Sequence, residues 1–345
     1  MTSTLLDVRN LRVDFVTDSG RAQVLDGVNF DMNEGEIVGL VGESGSGKTT
    51  LARSVLGILP ANSARIEAGE IWFDGRDLLT IPAKELSMNV RGRHITFIPQ
   101  DPFTSFNPVF SIGSQIMELM KWKSPLVDDA TRQRAFRYPR ERRRADYERV
   151  LELLRTVQLP DAEGILRKYP HEVSGGQRQR LMIAMALLSE AKLIIADEPT
   201  TALDVTIQAQ ILKLLRRLAS ERGVSVLFAT HDLGAAHEIC DRITVMYAGQ
   251  EVETAPAASF FSNPRHPYTN ALLQSLPSRT HGIRGIPGEI PVLIDAPNGC
   301  RFHPRCERAD DACRRDRPPI SEPVPEHTVR CFNPVATNLT SEVAE

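Results

Sequence analysis

The sequence has no uninterrupted run of about 18 or more apolar residues, so it lacks a typical membrane-spanning helix. Residues 1–10 also lack the basic-then-apolar order of a secretory signal peptide. The formal net charge is only −3, which provides no overall attraction to nucleic acid. There is no internal repeat with solenoid or propeller spacing. These absences predict a cytosolic protein and argue against membrane-embedded, secreted and repeat-type classes.

The composition is that of a globular chain. Of its 345 residues, 41% are hydrophobic and 25% are charged, which is enough for one large domain and a smaller appendage. From about residue 254 onward the composition changes to that of proline-rich loops. We therefore expect a second, smaller unit at that end of the chain.

Hydrophobic patterns indicate how the larger unit folds. Residues 11–15 and 28–32 have apolar side chains at alternate positions, and Asp18-Ser19-Gly20 lies between them, which predicts two antiparallel strands joined by a turn. Further buried strands are predicted at 36–41, 95–98, 193–196 and 224–229. Helices are predicted at 49–59, 145–158, 177–189 and 205–222. Such alternation predicts a parallel sheet covered by helices.

A glycine-rich segment, Gly42-Glu43-Ser44-Gly45-Ser46-Gly47-Lys48-Thr49, connects a predicted strand to a predicted helix. It fits the pattern of a phosphate-binding loop, G-x-x-x-x-G-K-[ST]. The glycines allow backbone N–H groups to turn toward phosphate oxygens, and the N-terminus of the helix adds positive potential. We expect Lys48 to bind the β and γ phosphates and the Thr49 hydroxyl to bind Mg²⁺. The alternative, an ordinary glycine-rich turn, leaves the lysine, the threonine and the flanking strand unexplained.

Two carboxylates, Asp197 and Glu198, follow the strand predicted at 193–196. Ligands of open α/β sheets bind at this end of the strands. We expect Asp197 to serve Mg²⁺, and Glu198 to act as a general base or to orient water for in-line attack on the γ phosphate. A helix N-terminal cap is the alternative for such an acidic pair, and the upstream phosphate loop favours the catalytic interpretation.

Between these two motifs, Val173-Ser174-Gly175-Gly176-Gln177 resembles the signature of the ATP-binding cassette (ABC) family. Other positions resemble motifs of that family in the same order: Gln100 the Q-loop glutamine, Ala202-Leu203-Asp204 the D-loop and His231 the switch histidine. Phe15 resembles the aromatic residue that stacks on adenine, although a strand phenylalanine is equally typical of a core.

This resemblance implies a full set of nucleotide-site residues. The ATP-binding residues would be Phe15, Gly42, Ser44, Gly45, Gly47, Lys48, Thr49 and Thr50. The Mg²⁺ ligands would be Thr49, Gln100 and Asp197. The catalytic residues would be Gln100, Glu198 and His231. In the family two cassettes enclose two ATP molecules, so the signature residues Ser174, Gly175, Gly176 and Gln177 would act on the nucleotide of the opposing subunit. Asp204 would be the D-loop residue.

The physical chemistry of the signature agrees with that role. Ser174 and Gly175 precede a predicted helix, whose N-terminal N–H groups would point at the opposing γ phosphate. In isolation, a Ser-Gly-Gly segment is equally typical of a helix cap, and a lone histidine such as His231 is typical of a core.

Within the ABC family, three segments look like those of the dipeptide and oligopeptide (nickel) importer ATPases. They are Phe97-Ile98-Pro99-Gln100-Asp101-Pro102, residues 197–210 and Arg265-His266-Pro267-Tyr268-Thr269. The resemblance covers nearly the whole chain. The basic segment 124–149 departs from it, and we expect a solvated charged helix there, with a nucleic-acid or acidic-lipid patch as the alternative.

Four of the five cysteines, Cys300, Cys306, Cys313 and Cys331, fall in the proline-rich segment. A disulfide scaffold would spread cysteines through a short secreted chain, so this clustering favours metal. The gaps are wider than the two to four residues that structural zinc sites prefer, which favours a larger cluster. The importer ATPases that the chain resembles carry a [4Fe-4S] cluster on such an extension. Zinc, and thiols that are unligated or disulfide-linked, remain alternatives. Cys240 is expected to be an ordinary buried residue.

The expected fold is therefore α/β: a P-loop NTPase of the ABC cassette type with an antiparallel β portion, a helical subdomain and a small loop-rich C-terminal extension. The nucleotide-binding domain is expected at 1–254, with its helical subdomain at about 101–188. The extension, of the oligopeptide-transporter type, is expected at 255–345.

The resemblance implies the ATP-hydrolysing motor of a bacterial importer for peptides or similar small solutes, peripheral on the cytoplasmic face of the inner membrane. It implies two membrane permease subunits, a second ABC ATPase that is a paralogue, and an extracytoplasmic solute-binding protein. No nucleic acid is expected.

The alternative, a soluble ABC ATPase acting on nucleic acid or the ribosome, fits poorly with one cassette and no coiled-coil insertion. An exporter or regulatory ATPase should lack the proline-rich tail. The sequence leaves the solute open among dipeptides, oligopeptides, nickel complexes and glycosides.

Overall fold

The computed structural model describes residues 3–101, 104–127, 138–201, 203–276 and 285–335. Several predicted features fall partly outside these described residues: Pro102, Ala202 of the predicted D-loop, residues 128–137 of the basic segment and the C-terminal residues 336–345.

The strands and helices are numbered in chain order. The strands are β1 (Thr4–Thr17), β2 (Gly20–Asn33), β3 (Ile37–Val41), β4 (Ala64–Phe73), β5 (Arg76–Asp77), β6 (Ile95–Ile98), β7 (Leu193–Asp197), β8 (Ser225–Thr230), β9 (Arg242–Tyr247), β10 (Gln250–Pro256), β11 (Ile320–Val324) and β12 (His327–Arg330). The α-helices are α1 (Lys48–Leu56), α2 (Ala83–Glu85), α3 (Ile112–Lys123), α4 (Arg140–Thr156), α5 (Ala162–Arg167), α6 (Gly175–Leu187), α7 (Val205–Arg222), α8 (Leu233–Ile239), α9 (Ala257–Ser262), α10 (Pro267–Gln274) and α11 (Asp311–Arg315).

The chain divides into two compact units. The first combines Met1–Thr80 with Phe228–Glu345, and the second is Ile81–Leu227. Strand β8 begins in the second unit and ends in the first. These units group residues differently from the expected domains 1–254 and 255–345, which stay a prediction.

The first unit contains the predicted antiparallel portion. Strands β1 and β2 pair from Thr4↔Asn33 to Thr17↔Gly20, so Asp18 and Ser19 form the turn between them. β4 pairs with the other edge of β1. Apolar residues at alternate positions along β1 and β2 are buried, as the period-2 pattern predicts.

A second group of strands in this unit positions the phosphate loop. β3 is parallel to β9, and all five residues of β3 are buried. β9 continues through a hairpin into β10, and β10 pairs with β12 of the C-terminal segment. Helix α1 starts at Lys48 and ends at Gly57, whose φ of 62° closes the helix in the left-handed conformation that glycine adopts readily. Helix α1 is therefore shorter than the helix at 49–59 that its apolar pattern predicts.

The second unit contains the predicted helical part of the chain. β6 and β7 are parallel, with Ile95 opposite Leu193 and Ile98 opposite Ala196. Among its helices, α3 contacts α4 and α5, α4 contacts α5 and α6, and α6 contacts α7. None of the helices in the described part of the chain is both long and apolar enough to span a membrane.

Helix α4 accounts for the described end of the basic segment. It begins at Arg140, five residues before the predicted start at 145, because its first turns are rich in charge rather than in apolar residues. Its arginines form ion pairs along and beside the helix: Arg142 with Asp146, Arg144 with Glu148 and Arg149 with Glu190. The exposed Arg144–Glu148 pair is typical of a solvated charged helix, whereas Asp146 is buried.

Candidate active site

The phosphate loop leaves β3 at Val41 and enters α1 at Lys48. Gly42 has a φ of 152°, and a Cβ atom there would lie 2.2 Å from the Met246 carbonyl oxygen. Gly47 has a φ of 104°, and its Cβ would lie 2.8 Å from Leu25 Cδ2. Glycine is therefore needed at both ends of the loop for conformation and for space. The buried Ser46 hydroxyl has no hydrogen-bond partner among the described residues, as expected of a polar group in a loop that binds a ligand.

Lys48 is the first residue of α1, and its ammonium points back into the loop. It is 5% exposed, and Nζ donates to the carbonyl oxygens of Gly42 (2.8 Å) and Glu43 (3.0 Å). A buried ammonium requires oxygen acceptors, and phosphate oxygens are stronger acceptors than carbonyls. Thr49 and Thr50 follow in the first helical turn and are half-buried. The loop thus concentrates cationic and N–H donors at one helix N-terminus.

Phe15 lies on β1, within the same unit as the phosphate loop. Its partners on the adjacent strands are Ala22 of β2 and Ala64 of β4. Two small neighbours leave the aromatic side chain half-buried rather than enclosed in the core. The ring is therefore available for stacking, which keeps the predicted adenine contact open.

His231 directly follows β8 and is exposed. The next residue, Asp232, is the N-cap of α8 and accepts from the Ala235 N–H (3.1 Å). The histidine is therefore not a core residue. It is held between a buried strand and a capped helix.

In the second unit, Glu198 and Gln100 are in contact. Gln100 Nε2 donates to Glu198 Oε2 (2.8 Å), and the Thr201 hydroxyl donates to the same oxygen (3.2 Å). The preceding residue, Asp197, ends β7 and is 3% exposed. The carboxylate predicted as base and the predicted Q-loop glutamine are thus brought together.

The backbone at Glu198 is unusual. Its φ is +49°, in the left-handed region that non-glycine residues rarely adopt. Such a conformation costs about 1–3 kcal/mol and persists where the surroundings enforce it, frequently at functional sites. Here it places the carboxylate beside Gln100 directly after a buried strand.

The predicted signature forms the N-terminus of α6. Ser174 is the N-cap: its hydroxyl accepts from the Gln177 N–H (3.3 Å), while Gln177 Oε1 accepts from the Ser174 N–H (3.0 Å). This reciprocal capping box fixes the residues but leaves Ser174 exposed and Gly175 and Gly176 half-buried. A Cβ at Gly176 would lie 3.1 Å from Ile207 of α7.

The predicted D-loop residue Asp204 lies near the signature. It is the N-cap of α7 and accepts from the Ile207 N–H (3.0 Å). Because Ile207 also packs against Gly176, the signature and the start of α7 are neighbours. Sequence reasoning placed these motifs separately, and the structure joins them through one isoleucine.

The segment Arg265-His266-Pro267-Tyr268-Thr269 has a clear structural role. The backbone N–H groups of Arg265 and His266 donate to the buried Glu253 carboxylate (2.7 and 2.8 Å), which also contacts His327 Nε2 (2.7 Å). Burial lowers the pKa of His266 to about 4, so its ring is neutral and Nδ1 accepts from the Tyr268 N–H (3.0 Å) as the N-cap of α10.

Sequence reasoning missed the residues that flank the phosphate loop. The Tyr268 hydroxyl accepts from the Glu43 N–H (3.0 Å), and Arg305 forms an ion pair with the Glu43 carboxylate (2.9 Å). Arg301 donates to the carbonyl of Gln23 (3.2 Å) and that of Ala248 (2.5 Å). No local sequence pattern predicts these contacts, since each joins distant parts of the chain.

The four cysteines of the extension line one small cavity, together with His266, Pro267, Phe302, His303, Arg308, Pro318, Phe332 and Asn333. Burial raises the pKa of the Cys300 thiol to about 11 and that of Cys331 to about 12, and it also raises the pKa values of Cys306 and Cys313. Cys240 lies apart, buried against Gly39 of β3.

The predicted [4Fe-4S] cluster gains no direct support. In the described ranges no group of three or more His, Cys, Asp and Glu side chains is arranged to hold a metal ion. The four cysteine residues line one cavity and supply the sulfur donor type that such a metal or cluster takes.

Two family models match the chain. The model described as ABC transporter matches residues 25–201, and the model described as oligopeptide/dipeptide transporter, C-terminal region, matches residues 252–313. The first contains the phosphate loop, the signature and the acidic pair. The second begins inside β10 and ends within α11.

The similarity to known proteins extends over nearly the full length of this chain. The oligopeptide transport ATP-binding protein AppD of Bacillus subtilis is 42% identical over 333 residues, covering 96% of this chain and 97% of its own. The oligopeptide transport ATP-binding protein OppD of Salmonella typhimurium is 42% identical over 336 residues, covering 96% and 95%. Among solved structures, the dimeric ATP-binding cassette MJ0796 bound to ADP and Pi in a post-hydrolysis state is 27% identical, with a TM-score of 0.61, covering 73% of this chain and 98% of its own.

Proposed function

Because this chain belongs to the ABC transporter family and is an ATP-hydrolysing cassette, we propose that it is the motor subunit of a bacterial importer for peptides or similar small solutes. The observation that carries this proposal is a complete cassette together with the oligopeptide-transporter C-terminal region in one chain. Relatives named as oligopeptide transport ATP-binding proteins align over almost all of it.

The first step is binding of the ATP phosphates at the loop 42–49. Lys48 exchanges its carbonyl acceptors, Gly42 and Glu43, for the β and γ phosphate oxygens. The N-terminus of α1 stabilises the same negative charge, and Phe15 stacks on the adenine. Ser44, Gly45, Gly47, Thr49 and Thr50 complete the assigned ATP contacts.

Mg²⁺ would be held by oxygen ligands from Thr49, Gln100 and Asp197. A buried carboxylate at the end of β7 and a hydroxyl in the first turn of α1 are the hard oxygen donors that this ion prefers. When bound, the ion neutralises charge that develops on the phosphates.

Hydrolysis needs a group that orients and deprotonates the attacking water. Glu198 is assigned this role, because its carboxylate is fixed by Gln100 and Thr201 in a strained backbone position. His231 is assigned to the γ phosphate. Phosphoryl transfer leaves positioning and charge stabilisation as the main tasks of the protein, and these residues supply both.

The signature is assigned to a second cassette's nucleotide. The α6 N-terminus and the exposed Ser174 offer donors that a γ phosphate on an opposing subunit would accept. Gly175, Gly176, Gln177 and Asp204 belong to the same surface. The likeness to a dimeric cassette structure supports this arrangement. Loss of the γ phosphate then weakens the contact, which couples hydrolysis to opening.

Glu198→Gln is expected to retain ATP binding and to lower steady-state hydrolysis by about 10²- to 10⁴-fold, the usual contribution of a general base. The amide keeps the size of the carboxylate but cannot accept the proton. Phosphate release and equilibrium ATP binding would be measured together, with Glu221→Gln on the exposed part of α7 as the control. Hydrolysis at the wild-type rate would remove Glu198 from the role of base.

The importer proposal includes a location and partners. This chain would lie on the cytoplasmic face of the inner membrane, bound to two membrane permeases and to a second cassette, which we propose is a paralogue. An extracytoplasmic solute-binding protein would complete the assembly. The matched C-terminal region and the named relatives support this family of assemblies.

Gentle-detergent purification of the tagged chain from its native membranes, with partners identified by mass spectrometry, tests that assembly. We expect recovery of two permeases and a second cassette of different sequence. Recovery only with ribosomes or nucleic acid would overturn the importer proposal in favour of a soluble ABC ATPase. Recovery of a second copy of this chain in place of the paralogue would overturn the heterodimer proposal and leave the importer proposal standing.

The cysteine cavity is proposed to hold a [4Fe-4S] cluster, with zinc as the alternative. Its support is that Cys300, Cys306, Cys313 and Cys331 line one cavity, with spacings wider than those of structural zinc sites. Bound metal would connect the segments that carry these residues, including helix α11 with Cys313.

Anaerobically purified protein is expected to contain iron and acid-labile sulfide and to lose both in Cys313→Ser. Cys240→Ala is the matched control, since that cysteine lies outside the cavity. Stoichiometric zinc without sulfide would select the alternative, and a metal-free protein with full activity would reject both.

A further inference from the structure

Glu43, the second residue of the phosphate loop, is held from two sides by the C-terminal part of the chain. Arg305 approaches its carboxylate with both terminal nitrogens, Nη1 to Oε2 at 2.9 Å and Nη2 to Oε1 at 3.3 Å. The hydroxyl of Tyr268 accepts from the Glu43 backbone N–H at 3.0 Å. The contact is therefore bidentate at the side chain and fixed at the main chain.

Arg305 is itself firmly placed. Its side chain is 3% exposed, Nε donates to the Pro287 carbonyl (2.9 Å), and Nη2 donates to the Ile286 carbonyl (3.2 Å). The guanidinium lies 5.8 Å from the ring centroid of Tyr247. A planar fork that is already ordered loses little entropy when it binds a carboxylate, so the pair can fix the loop.

The same contacts continue to the phosphate-binding lysine. The carbonyl of Glu43 accepts from Lys48 Nζ at 3.0 Å. Tyr268 thus holds the backbone of Glu43 and Arg305 holds its side chain, and the Glu43 carbonyl in turn accepts from the Lys48 ammonium. Any displacement of Glu43 would shift an acceptor of Lys48.

Charge gives Arg305 a second role. A carboxylate in a phosphate loop repels the phosphates that the loop must bind, and burial weakens the screening of that repulsion by salt. Glu43 is partly buried, with 26% of its side chain exposed. Arg305 supplies the compensating positive charge at hydrogen-bond distance.

We propose that Arg305 is a positioning residue for nucleotide binding, which neutralises Glu43 and holds the phosphate loop in its binding conformation. The C-terminal extension is then part of the nucleotide site as well as an appendage to the cassette. This inference rests on the proposed ATP-binding role of the loop 42–49.

The test is a double-mutant cycle on the full chain, read as the Kd for Mg–ATP by calorimetry. Arg305→Gln is expected to raise Kd about tenfold, because the loop carboxylate becomes uncompensated; tenfold corresponds to about 1.4 kcal/mol. Glu43→Gln is expected to lower Kd, since the negative charge is removed while the amide oxygen still accepts from the Arg305 guanidinium and keeps the loop in place. The double variant is expected to bind more tightly than Arg305→Gln, which a purely structural loss would not produce.

Two further variants serve as controls for the double-mutant cycle. Arg314→Gln changes an exposed arginine of α11 that pairs with Asp311, and it should leave Kd unchanged. Arg305→Lys keeps the charge without the fork and should fall between the wild type and Arg305→Gln, even if Arg305→Gln folds poorly. Thermal unfolding without nucleotide identifies variants that have lost their fold.

A folded Arg305→Gln with the wild-type Kd would overturn the inference. So would a double variant no better than Arg305→Gln, or a Glu43→Gln that weakens binding as much as Arg305→Gln does. If the wild type itself bound no ATP, the assignment of the phosphate loop would fail instead, which is a different outcome.

Discussion

The buried ammonium of Lys48 is the constraint on which the nucleotide site depends. Lys48 is only 5% exposed, so its ammonium needs oxygen acceptors within the protein, and the loop supplies them by turning the carbonyls of Gly42 and Glu43 inward. That path is open only to glycine at Gly42, where a Cβ would overlap the Met246 carbonyl. The buried strand β3, the glycine turns and the start of α1 together hold this one cation in place for phosphate.

Local motifs could be predicted from the sequence because their physics is local. The hairpin at Asp18 and Ser19, the helix cap at Ser174 and the strand that ends at Asp197 each depend on residues close in the chain. Helix α4 was placed five residues late, since ion pairs rather than apolar spacing stabilise its first turns. Gly57 ended α1 earlier than its pattern indicated.

Contacts between distant residues could not be predicted in this way. Arg305 and Glu43 are 262 positions apart, and neither belongs to a pattern that requires the other. The segment around His266 was identified only as a family marker, whereas its physical role is to donate backbone N–H groups to Glu253, to cap α10 and to place Tyr268 against the phosphate loop. The spacing of the cysteines indicated metal, but only the fold brings the four thiols to one cavity. The left-handed backbone of Glu198 is likewise a consequence of its surroundings.

The central claim is that this loop binds ATP through Lys48. Calorimetric titration of Mg–ATP into the full chain and into Lys48→Ala tests it directly. We predict saturable binding at one site per chain in the wild type and loss of that binding in the variant, with both proteins unfolding cooperatively. Equal affinity in the two proteins would contradict the account, because the phosphates would then be held somewhere other than at the N-terminus of α1.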